Sequence, residues 1–436
     1  MSADTAETFT AGTQVSILLP LPLGSAYDYR VPNGMRLAVG DFVRVTLGPR
    51  TASGVVCVPG KGDIDAAKVK EVIGLHDCRA LPDASRRFVD WVARYTLASP
   101  GAVLKMAMSV SDALDPPKPQ TAYTKGTVGG GIRMTPARQR VLACTADGPP
   151  RGLTELAREA GVSTSVIKGL ADAGAVTMVS VPVFKLPPAP DPEHAGPKLS
   201  TEQAEAAETL SADAAAGGFG VTLLDGVPGA GKTEVYFQAV AETLKKGQQV
   251  LVLLPEIALS AQWLERFRRR FGALPAEWHS DLTHAQRRAT WRAVSEGRTP
   301  VIVGARSALF LPFADLGLII VDEEHESTFK QEEGVIYNGR DMAVVRAQLG
   351  DLPITLVSAT PSLETIVNAE SGRYTSLHLP LRHAGAALPE IGVVDMLKTP
   401  PPRGDWISPP LRDAVEKTLA NGEQALLFLN RRGYAP

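Results

Sequence analysis

The chain has 436 residues, of which 44% are hydrophobic and 21% charged, a composition typical of a soluble protein with several domains. The formal net charge of −2 excludes a globally basic nucleic-acid binder, so any nucleic-acid site must be local. Three scattered cysteines form no C-x-x-C pair, and neither a signal peptide nor a long apolar run is apparent, so we expect a cytoplasmic protein without membrane contact.

The first hundred residues show the alternation of apolar and polar positions that is typical of β-strands. The predicted strands are residues 15–21, 27–31, 39–45 and 53–58. Apolar and aromatic residues between Phe88 and Tyr95 recur at helical spacing and predict a helix with one buried face. We therefore expect a β-rich domain, a small barrel or half-barrel with following helix, over residues 13–112.

Proline-rich and glycine-rich stretches mark two predicted linkers, residues 113–132 and 185–198. Between them, residues 133–184 show three predicted helices and then an extended hairpin, the pattern of a winged-helix domain. The third of these helices carries Lys168 as its only basic residue, whereas contact with DNA phosphates needs clustered Lys and Arg. Two interpretations stay open, a packing module and a domain that reads a DNA groove.

From residue 199 onward, strands alternate with helices, which predicts a mostly parallel sheet in an α/β lobe over residues 199–380. Its predicted strands are the short apolar runs 221–224, 249–254, 301–303, 318–321 and 354–357. Two later runs, 390–394 and 424–429, have the pattern of strands from another sheet. Residues 381–436 are therefore predicted to begin a second lobe.

A glycine-rich stretch joins the first strand of this lobe to a predicted helix. Gly226, Gly231, Lys232 and Thr233 fit G-x-x-x-x-G-K-S/T, the pattern of a phosphate-binding P-loop. Backbone N–H groups in such a loop surround phosphate, Lys232 adds a positive charge, and Thr233 offers a hydroxyl to Mg²⁺. We predict that these residues and Gly229 bind ATP.

An acidic pair follows another buried run, where residues 322–325 read Asp-Glu-Glu-His. Asp322 is predicted to hold Mg²⁺, and Glu323 to polarise the water that attacks the γ-phosphate. Lys232, Asp322 and Glu323 are thus the predicted catalytic residues. A Ser-Ala-Thr stretch at residues 358–360 follows the next strand.

The order of these motifs resembles that in the first motor lobe of superfamily 2 helicases, a RecA-like fold. Gln203 lies where such enzymes read the adenine edge. Further stretches narrow the resemblance: residues 226–236, 254–260, 279–280, 304–310, 322–326 and 429–434. Together they closely resemble the PriA family of replication-restart helicases over nearly the whole chain.

This resemblance implies an ATP-dependent 3′-to-5′ DNA helicase that recognises stalled or branched forks and initiates primosome assembly. It implies as partners branched and single-stranded DNA with a 3′ end, primosome proteins and single-strand-binding proteins. The N-terminal domain would bind the 3′-terminal nucleotide through Tyr27, Asp28, Gly48 and Lys70. An aromatic face can stack a base, a carboxylate can accept a hydrogen bond from the 3′-hydroxyl, and a lysine can contact phosphate.

The stretch 326–341 resembles the family's aromatic-rich loop, which senses single-stranded DNA beside the hydrolytic acids. Phe329, Lys330, Tyr337 and Arg340 are the DNA contacts that this resemblance implies, through stacking and phosphate binding.

Members of this family continue beyond the motif at residues 429–434 into a cysteine-rich zinc-binding region and the rest of the second lobe. We therefore expect a truncated member, with zinc only in the missing C-terminal part and with weak or absent ATPase and unwinding. Two alternatives remain, a non-hydrolysing DNA-binding scaffold and, less favoured, a P-loop enzyme that acts on a small molecule.

Overall fold

The computed structural model describes residues 7–60, 68–116, 120–127, 132–181, 186–255, 261–381 and 390–428. The chain divides into two compact units, Met1–His383 and Ala384–Pro436, each described by itself below.

The N-terminal part of the first unit is a small antiparallel barrel. Its strands are β1 (Thr8–Phe9), β2 (Gln14–Leu18), β3 (Tyr27–Arg30), β4 (Leu37–Ala38), β5 (Phe42–Leu47), β6 (Arg50–Pro59) and β7 (Gly74–Leu75). The main sheet has the order β3-β2-β6-β5-β7, and β1 pairs with β4. The segment before β7 closes the sheet, because the Arg30 N–H donates to the Lys70 carbonyl at 2.9 Å and the Ile73 N–H to the Arg44 carbonyl at 2.8 Å. The predicted barrel is confirmed.

Two helices follow the barrel, α1 (Asp83–Thr96) and α2 (Pro100–Ala107), and then a 3₁₀ turn, Ser111–Leu114. Their apolar faces belong to the same hydrophobic core as the α/β lobe. The rings of Phe88 and Phe310 lie 5.1 Å apart, and the Trp291 indole N–H donates to the Ala107 carbonyl at 2.8 Å. The predicted boundary after residue 112 therefore does not separate two cores.

The prediction that residues 113–132 form a flexible linker is wrong around Asp115 and over residues 120–125. Asp115 accepts hydrogen bonds from Arg44 and His76 of the barrel, each at 3.0 Å, and its carbonyl accepts one from Arg288 of the lobe at 3.3 Å. Residues 120–125 form a strand. Proline and glycine around these residues suggested a flexible connection, but neighbouring elements supply enough hydrogen bonds to fix them.

The next domain has the strands β8 (Gln120–Lys125), β9 (Arg151–Gly152) and β10 (Val176–Val181) and the helices α3 (Pro136–Ala146), α4 (Leu153–Ala160) and α5 (Thr164–Asp172). The three predicted helices are confirmed. The predicted C-terminal hairpin is wrong for the described residues up to 181, because β10 pairs over its full length with β8, which precedes the helices. The strand partner thus comes from the stretch that the sequence assigned to a linker.

The α/β lobe is built on seven parallel strands in the order β13-β14-β12-β15-β18-β11-β19. Its elements are α6 (Thr201–Ala216), β11 (Gly220–Gly226), α7 (Lys232–Lys245), β12 (Gln249–Leu253), α8 (Ala261–Phe271), β13 (Ala276–Trp278), α9 (His284–Ser295), β14 (Val301–Gly304), β15 (Leu316–Asp322), β16 (Lys330–Gln331), β17 (Tyr337–Asn338), α10 (Gly339–Gly350), β18 (Pro353–Ser358), α11 (Leu363–Glu370) and β19 (Thr375–Leu379). All five predicted strands are confirmed, since runs that are apolar throughout suit strands covered on both faces. The edge strands β13 and β19 were not predicted.

Two attachments hold neighbouring segments on this lobe. The second predicted linker has neither helix nor strand in its described residues, and its His194 carbonyl accepts a hydrogen bond from Arg270 of α8 at 2.7 Å. On the other side, α10 packs against α1, where the buried Arg346 donates to the Ser85 hydroxyl at 2.8 Å. One guanidinium nitrogen of Arg346, Nη1, is buried without a hydrogen-bond partner.

The second unit contains helix α12 (Pro409–Ala420) in its described residues. The predicted strand at 390–394 is wrong, and no strand forms over residues 424–428; residue 429 lies outside the described residues. A strand requires a paired neighbour, and Ile391 and Val393 stay exposed, at 81% and 92%. In the parts of the chain that the structure describes, no helix has the length and apolar character needed to span a membrane.

Candidate nucleotide and DNA-end sites

The glycine loop lies between the end of β11 at Gly226 and the start of α7 at Lys232. Gly229 and Gly231 have φ angles of +81° and +80°, which favour glycine. A Cβ atom on Gly231 would also lie 2.4 Å from the Gln203 side chain. The loop therefore needs these glycines, and it presents the unpaired N–H groups of a helix N-terminus, a site suited to phosphate.

The Lys232 ammonium lies inside this loop and donates to the Gly226 carbonyl at 2.7 Å. Burial lowers the pKa of Lys232, while the negative charges of Glu323, Asp322 and Asp225 act against that shift. The amine is therefore close to the acidic pair.

Asp322 ends β15, two strands away from the glycine loop in the same sheet, with β18 between them. Its carboxylate accepts hydrogen bonds from the Tyr236 hydroxyl at 2.8 Å and from the Glu323 N–H at 3.0 Å. Asp322 is only 8% exposed, and burial raises its pKa to about 6. A buried carboxylate with lone pairs left over is a suitable ligand for Mg²⁺.

Glu323 has a φ of +52°, a left-handed conformation that is costly for a residue with a side chain. This turn directs its carboxylate outward, with the side chain 42% exposed. His325 Nδ1 lies 3.7 Å from that carboxylate and 2.8 Å from the Ser358 hydroxyl. The acidic segment and the Ser-Ala-Thr segment thus contact each other through His325.

Gln203 takes part in the first turn of α6 and in the glycine loop. Its side-chain oxygen accepts from the Ser200 N–H at 2.9 Å, and its amide nitrogen donates to the Ala230 carbonyl at 2.8 Å. Gln203 is 5% exposed. The structure therefore gives it a role in fixing the loop, and its contact with adenine stays a prediction.

Three of the four predicted contacts in the aromatic-rich loop are buried: Phe329, Tyr337 and Arg340. Phe329 and Tyr337 belong to the core of the lobe, where burial raises the pKa of Tyr337 to about 12. Arg340 forms an ion pair with the buried Glu324 at 3.2 Å. Lys330 is exposed, at 59% of its side chain. Their contact with DNA stays a prediction, and for the buried three it requires that the loop leave this packing.

The predicted DNA-end residues come from three segments of the barrel. The Tyr29 hydroxyl ties β3 to the Thr46 carbonyl at 2.8 Å, close to Gly48, while the Arg30 N–H ties β3 to Lys70. Tyr27 is 39% exposed and begins β3. Successive side chains of a strand point to opposite faces, so a nucleotide that contacts both Tyr27 and Asp28 must lie at the end of β3.

Two residues at the nucleotide site, Tyr236 and Trp263, were not among the predicted site residues. Tyr236 is fully buried in α7, and the Trp263 indole N–H donates to its hydroxyl at 2.8 Å. The sequence places Tyr236 one helical turn after Lys232, and a buried phenol usually needs a hydrogen-bond partner. These two facts could have identified Tyr236 as a residue of the nucleotide site. The partner itself comes from a distant strand and could not be read from the sequence.

The donor set fits ATP with Mg²⁺: a helix N-terminus, an ammonium, a hydroxyl on Thr233 and the buried carboxylate of Asp322. Elsewhere in the described ranges, His, Cys, Asp and Glu side chains do not gather in a group of three or more that could hold a metal ion.

Comparisons with known proteins give two matching families. Residues 16–109 match the model of a 3′ DNA-binding domain (3′BD), and residues 201–369 match that of the DEAD/DEAH box helicases. The first covers the barrel with α1 and α2, and the second covers the lobe with the glycine loop and the acidic pair.

Two curated relatives bear the name replication restart protein PriA. That of Rickettsia felis is 32% identical and aligns with 96% of this chain and 54% of its own length; that of Haemophilus influenzae is 34% identical, with 97% and 59%. The chain thus spans somewhat more than half of these relatives. A solved structure of RecG bound to a three-way DNA junction is 19% identical, covers 52% of this chain and 29% of its own, and has a TM-score of 0.37, too low to carry an argument.

Proposed function

The chain belongs to the PriA family of replication restart proteins, and from that premise we propose that it acts in an ATP-dependent 3′-to-5′ DNA helicase of replication restart. In this proposal it recognises stalled or branched forks by a 3′ DNA end and initiates primosome assembly in the cytoplasm. Its partners are branched and single-stranded DNA, primosome proteins and single-strand-binding protein. ATP and Mg²⁺ bind at the lobe, and a zinc site belongs to a part of the family outside this sequence.

The observation that carries the proposal is the convergence of Lys232, Asp322 and Glu323 at the carboxyl edge of one parallel sheet. The strands that position them, β11 and β15, are both neighbours of β18. Burial lowers the pKa of Lys232, and the negative charges of Glu323 and Asp322 offset part of that fall. A cation and two acids at one sheet edge are suited to a nucleoside triphosphate and its metal.

Each of these residues has a task in the proposal. The N–H groups at the start of α7 hold the phosphates, and Lys232 leaves the Gly226 carbonyl to join them. Thr233 and Asp322 hold Mg²⁺, which when bound neutralises charge on the phosphates. Glu323, held outward by its left-handed backbone, orients the attacking water.

The barrel supplies the DNA-end contact in this proposal. Tyr27 offers an exposed ring for stacking on the terminal base, and the exposed Lys70 lies beside β3 for a phosphate. Asp28 accepts a hydrogen bond from the 3′-hydroxyl. Gly48 has a φ of +60°, which lets the chain turn close to the nucleotide.

A non-hydrolysing DNA-binding scaffold is the second candidate. Such a scaffold would need the 3′ DNA-binding domain that residues 16–109 match, and no hydrolysis at the lobe. A P-loop enzyme for small molecules would need no 3′ DNA-binding domain, whereas residues 16–109 match the model of one.

Forked DNA with a free or a phosphorylated 3′ end, together with nucleotide binding and phosphate release, tests the proposal. We expect the free end to bind at least about 10-fold more tightly, and Lys70→Ala to weaken that binding severalfold, because one phosphate contact is lost. Lys232→Ala should abolish binding of a fluorescent ATP analogue.

Two variants are matched controls: Lys105→Ala, an exposed lysine of α2, and Lys245→Ala at the far end of α7. DNA binding without binding of the ATP analogue favours the scaffold, because weak or absent phosphate release is expected of this chain in either case. Equal binding of free and blocked ends would remove the DNA-end assignment, and full nucleotide binding by Lys232→Ala would remove the ATP-site assignment.

A further inference from the structure

A buried chain of hydrogen bonds runs from α8 through α7 to the acidic end of β15. The Trp263 indole N–H donates to the Tyr236 hydroxyl, and that hydroxyl donates to Asp322 Oδ2, each at 2.8 Å. Tyr236 is 0% exposed and Trp263 is 6% exposed. All three groups are thus removed from water, where hydrogen bonds to a charged group are stronger than at the surface.

The Tyr236 hydroxyl also lies near the second predicted metal ligand. Thr233 lies three residues before Tyr236 on α7, a spacing that places the two side chains on one face of the helix; burial raises the pKa of the Tyr236 phenol, and Thr233 acts against that rise. A phenol oxygen can accept two hydrogen bonds and donate one. When Trp263 and Thr233 donate, the hydroxyl proton is directed to Asp322, and the lone pairs of the Thr233 oxygen remain available.

The ring of Tyr236 is fixed by packing. It meets Phe237 edge to face, with centroids 5.2 Å apart, and Phe237 in turn contacts Trp263, with centroids 5.7 Å apart. An aromatic group fixed on a rigid helix and sheet holds its hydroxyl in one place, which suits it to orient another residue.

We propose that Tyr236 is a positioning residue of the metal site: its hydroxyl holds the Asp322 carboxylate and the Thr233 hydroxyl in the orientation that binds Mg²⁺. The inference rests on the proposed function, since it assumes that these two residues receive the metal. Trp263 orients the Tyr236 hydroxyl. Partners that orient metal ligands in this way commonly change metal affinity by about 10- to 100-fold when they are removed.

The test measures how much Mg²⁺ tightens the binding of a fluorescent ATP analogue, as the ratio of affinities in excess Mg²⁺ and in EDTA. Tyr236→Phe keeps the ring and removes the hydroxyl. We expect this ratio to fall about 10-fold or more, with affinity in EDTA unchanged. Trp263→Phe should lower the ratio less, because it removes only the donor that orients the phenol.

Thr243→Val is the matched control. It removes another fully buried hydroxyl from α7, one that donates to the Ala239 carbonyl at 2.9 Å, and it should leave the ratio as in the unaltered chain. If the unaltered chain shows Mg²⁺-dependent binding and Tyr236→Phe keeps the full ratio, the positioning role is wrong. If the unaltered chain binds the analogue equally with and without Mg²⁺, the assignment of Thr233 and Asp322 as metal ligands is wrong, and this inference falls with it.

Discussion

Two regions of the first unit differ in how their apolar side chains relate to the α/β lobe. Helices α1 and α2 contribute residues such as Phe88 and Leu104 to the same hydrophobic core as Ile319 and Trp291 of the lobe. The predicted winged-helix domain, with α3, α4 and α5, instead has a core of its own, built from residues such as Leu156, Ile167 and Leu170. Helices α1 and α2 therefore share a core with the lobe, whereas the domain with α3, α4 and α5 has a separate one.

Segments that are adjacent in sequence therefore need not share a hydrophobic core, and distant segments can share one. The predicted winged-helix domain lies between α2 and the lobe in sequence, yet α1 contacts α10 of the lobe through Ser85 and Arg346. A shared core unfolds as one cooperative unit, whereas a domain with its own core can unfold alone.

The largest loss of stability in the shared core is expected at Trp291. This residue is fully buried, and its ring centroid lies 5.9 Å from that of Phe42 in the barrel. Trp291→Ala should cost about 3–5 kcal/mol, because it leaves a large cavity and frees the Ala107 carbonyl. Hydrogen exchange should rise together in α1, α2 and the lobe. Faster exchange confined to α9 would contradict a single cooperative unit.

Leu156→Ala makes the corresponding cavity in the winged helix, where Leu156 is fully buried. It should cost about 2–5 kcal/mol, and the loss should be confined to that domain. Urea unfolding should show an earlier transition for α3 to α5, while binding of the ATP analogue is unchanged. A matched loss of nucleotide binding would show that the two regions depend on each other after all.

Asp322→Asn should stabilise the shared unit at pH 8 by up to about 3 kcal/mol, since the folded chain holds a carboxyl whose pKa is raised from 3.8 to about 6. The folded state then binds the proton more tightly than the unfolded state, so Asp322 loses its stabilising contribution as pH rises through about 6. The advantage of the variant should therefore be present at pH 8 and vanish near pH 4.

Urea unfolding at the two pH values measures this advantage. Asp281→Asn, an exposed residue of the same lobe, is the control and should change stability by less than about 0.5 kcal/mol at either pH. An advantage of Asp322→Asn that grows toward acid pH would contradict the assigned direction.

The smallest effect is expected at the contact between α1 and α10. Ser85→Ala should cost about 1–3 kcal/mol, because it leaves the buried Arg346 without its hydrogen bond to that hydroxyl. Arg346→Met should cost less or even stabilise, since burial without a countercharge already lowers the Arg346 pKa to about 10. Thermal unfolding compares the two, and a larger loss for Arg346→Met would refute this account.

The sequence predicted most of what depends on local pattern. The glycine loop, the acidic strand end and the five internal strands follow from spacing within short stretches, because a strand buried on both faces is apolar throughout. Edge strands such as β13 lack that signal. β8 was not predicted because its two buried residues, Ala122 and Tyr123, are adjacent and do not alternate with polar ones, and because prolines and glycines lie around Gln120–Lys125.

What the sequence could not predict depends on which surfaces meet. Helical spacing identified Phe88 as a core residue but not its neighbour Phe310. Tyr337 and Arg340 have side chains suited to DNA, and only their packing against Phe310 and Glu324 reveals that they are buried. The link from Tyr236 to Asp322 joins a helix to a strand two places away in the sheet, so no spacing rule reports it.

Helix α10 makes two contacts that can both form only if the residues making them keep their helical spacing. Arg340 in its first turn is bound to Glu324, and Arg346 further along is bound to Ser85 of the DNA-end domain. One residue inserted or deleted between them would turn one end of the helix by about 100° relative to the other and shift it by about 1.5 Å. A change in the length of α10 would therefore break one of the two contacts, and the number of residues in α10 fixes how α1 is placed relative to Glu324.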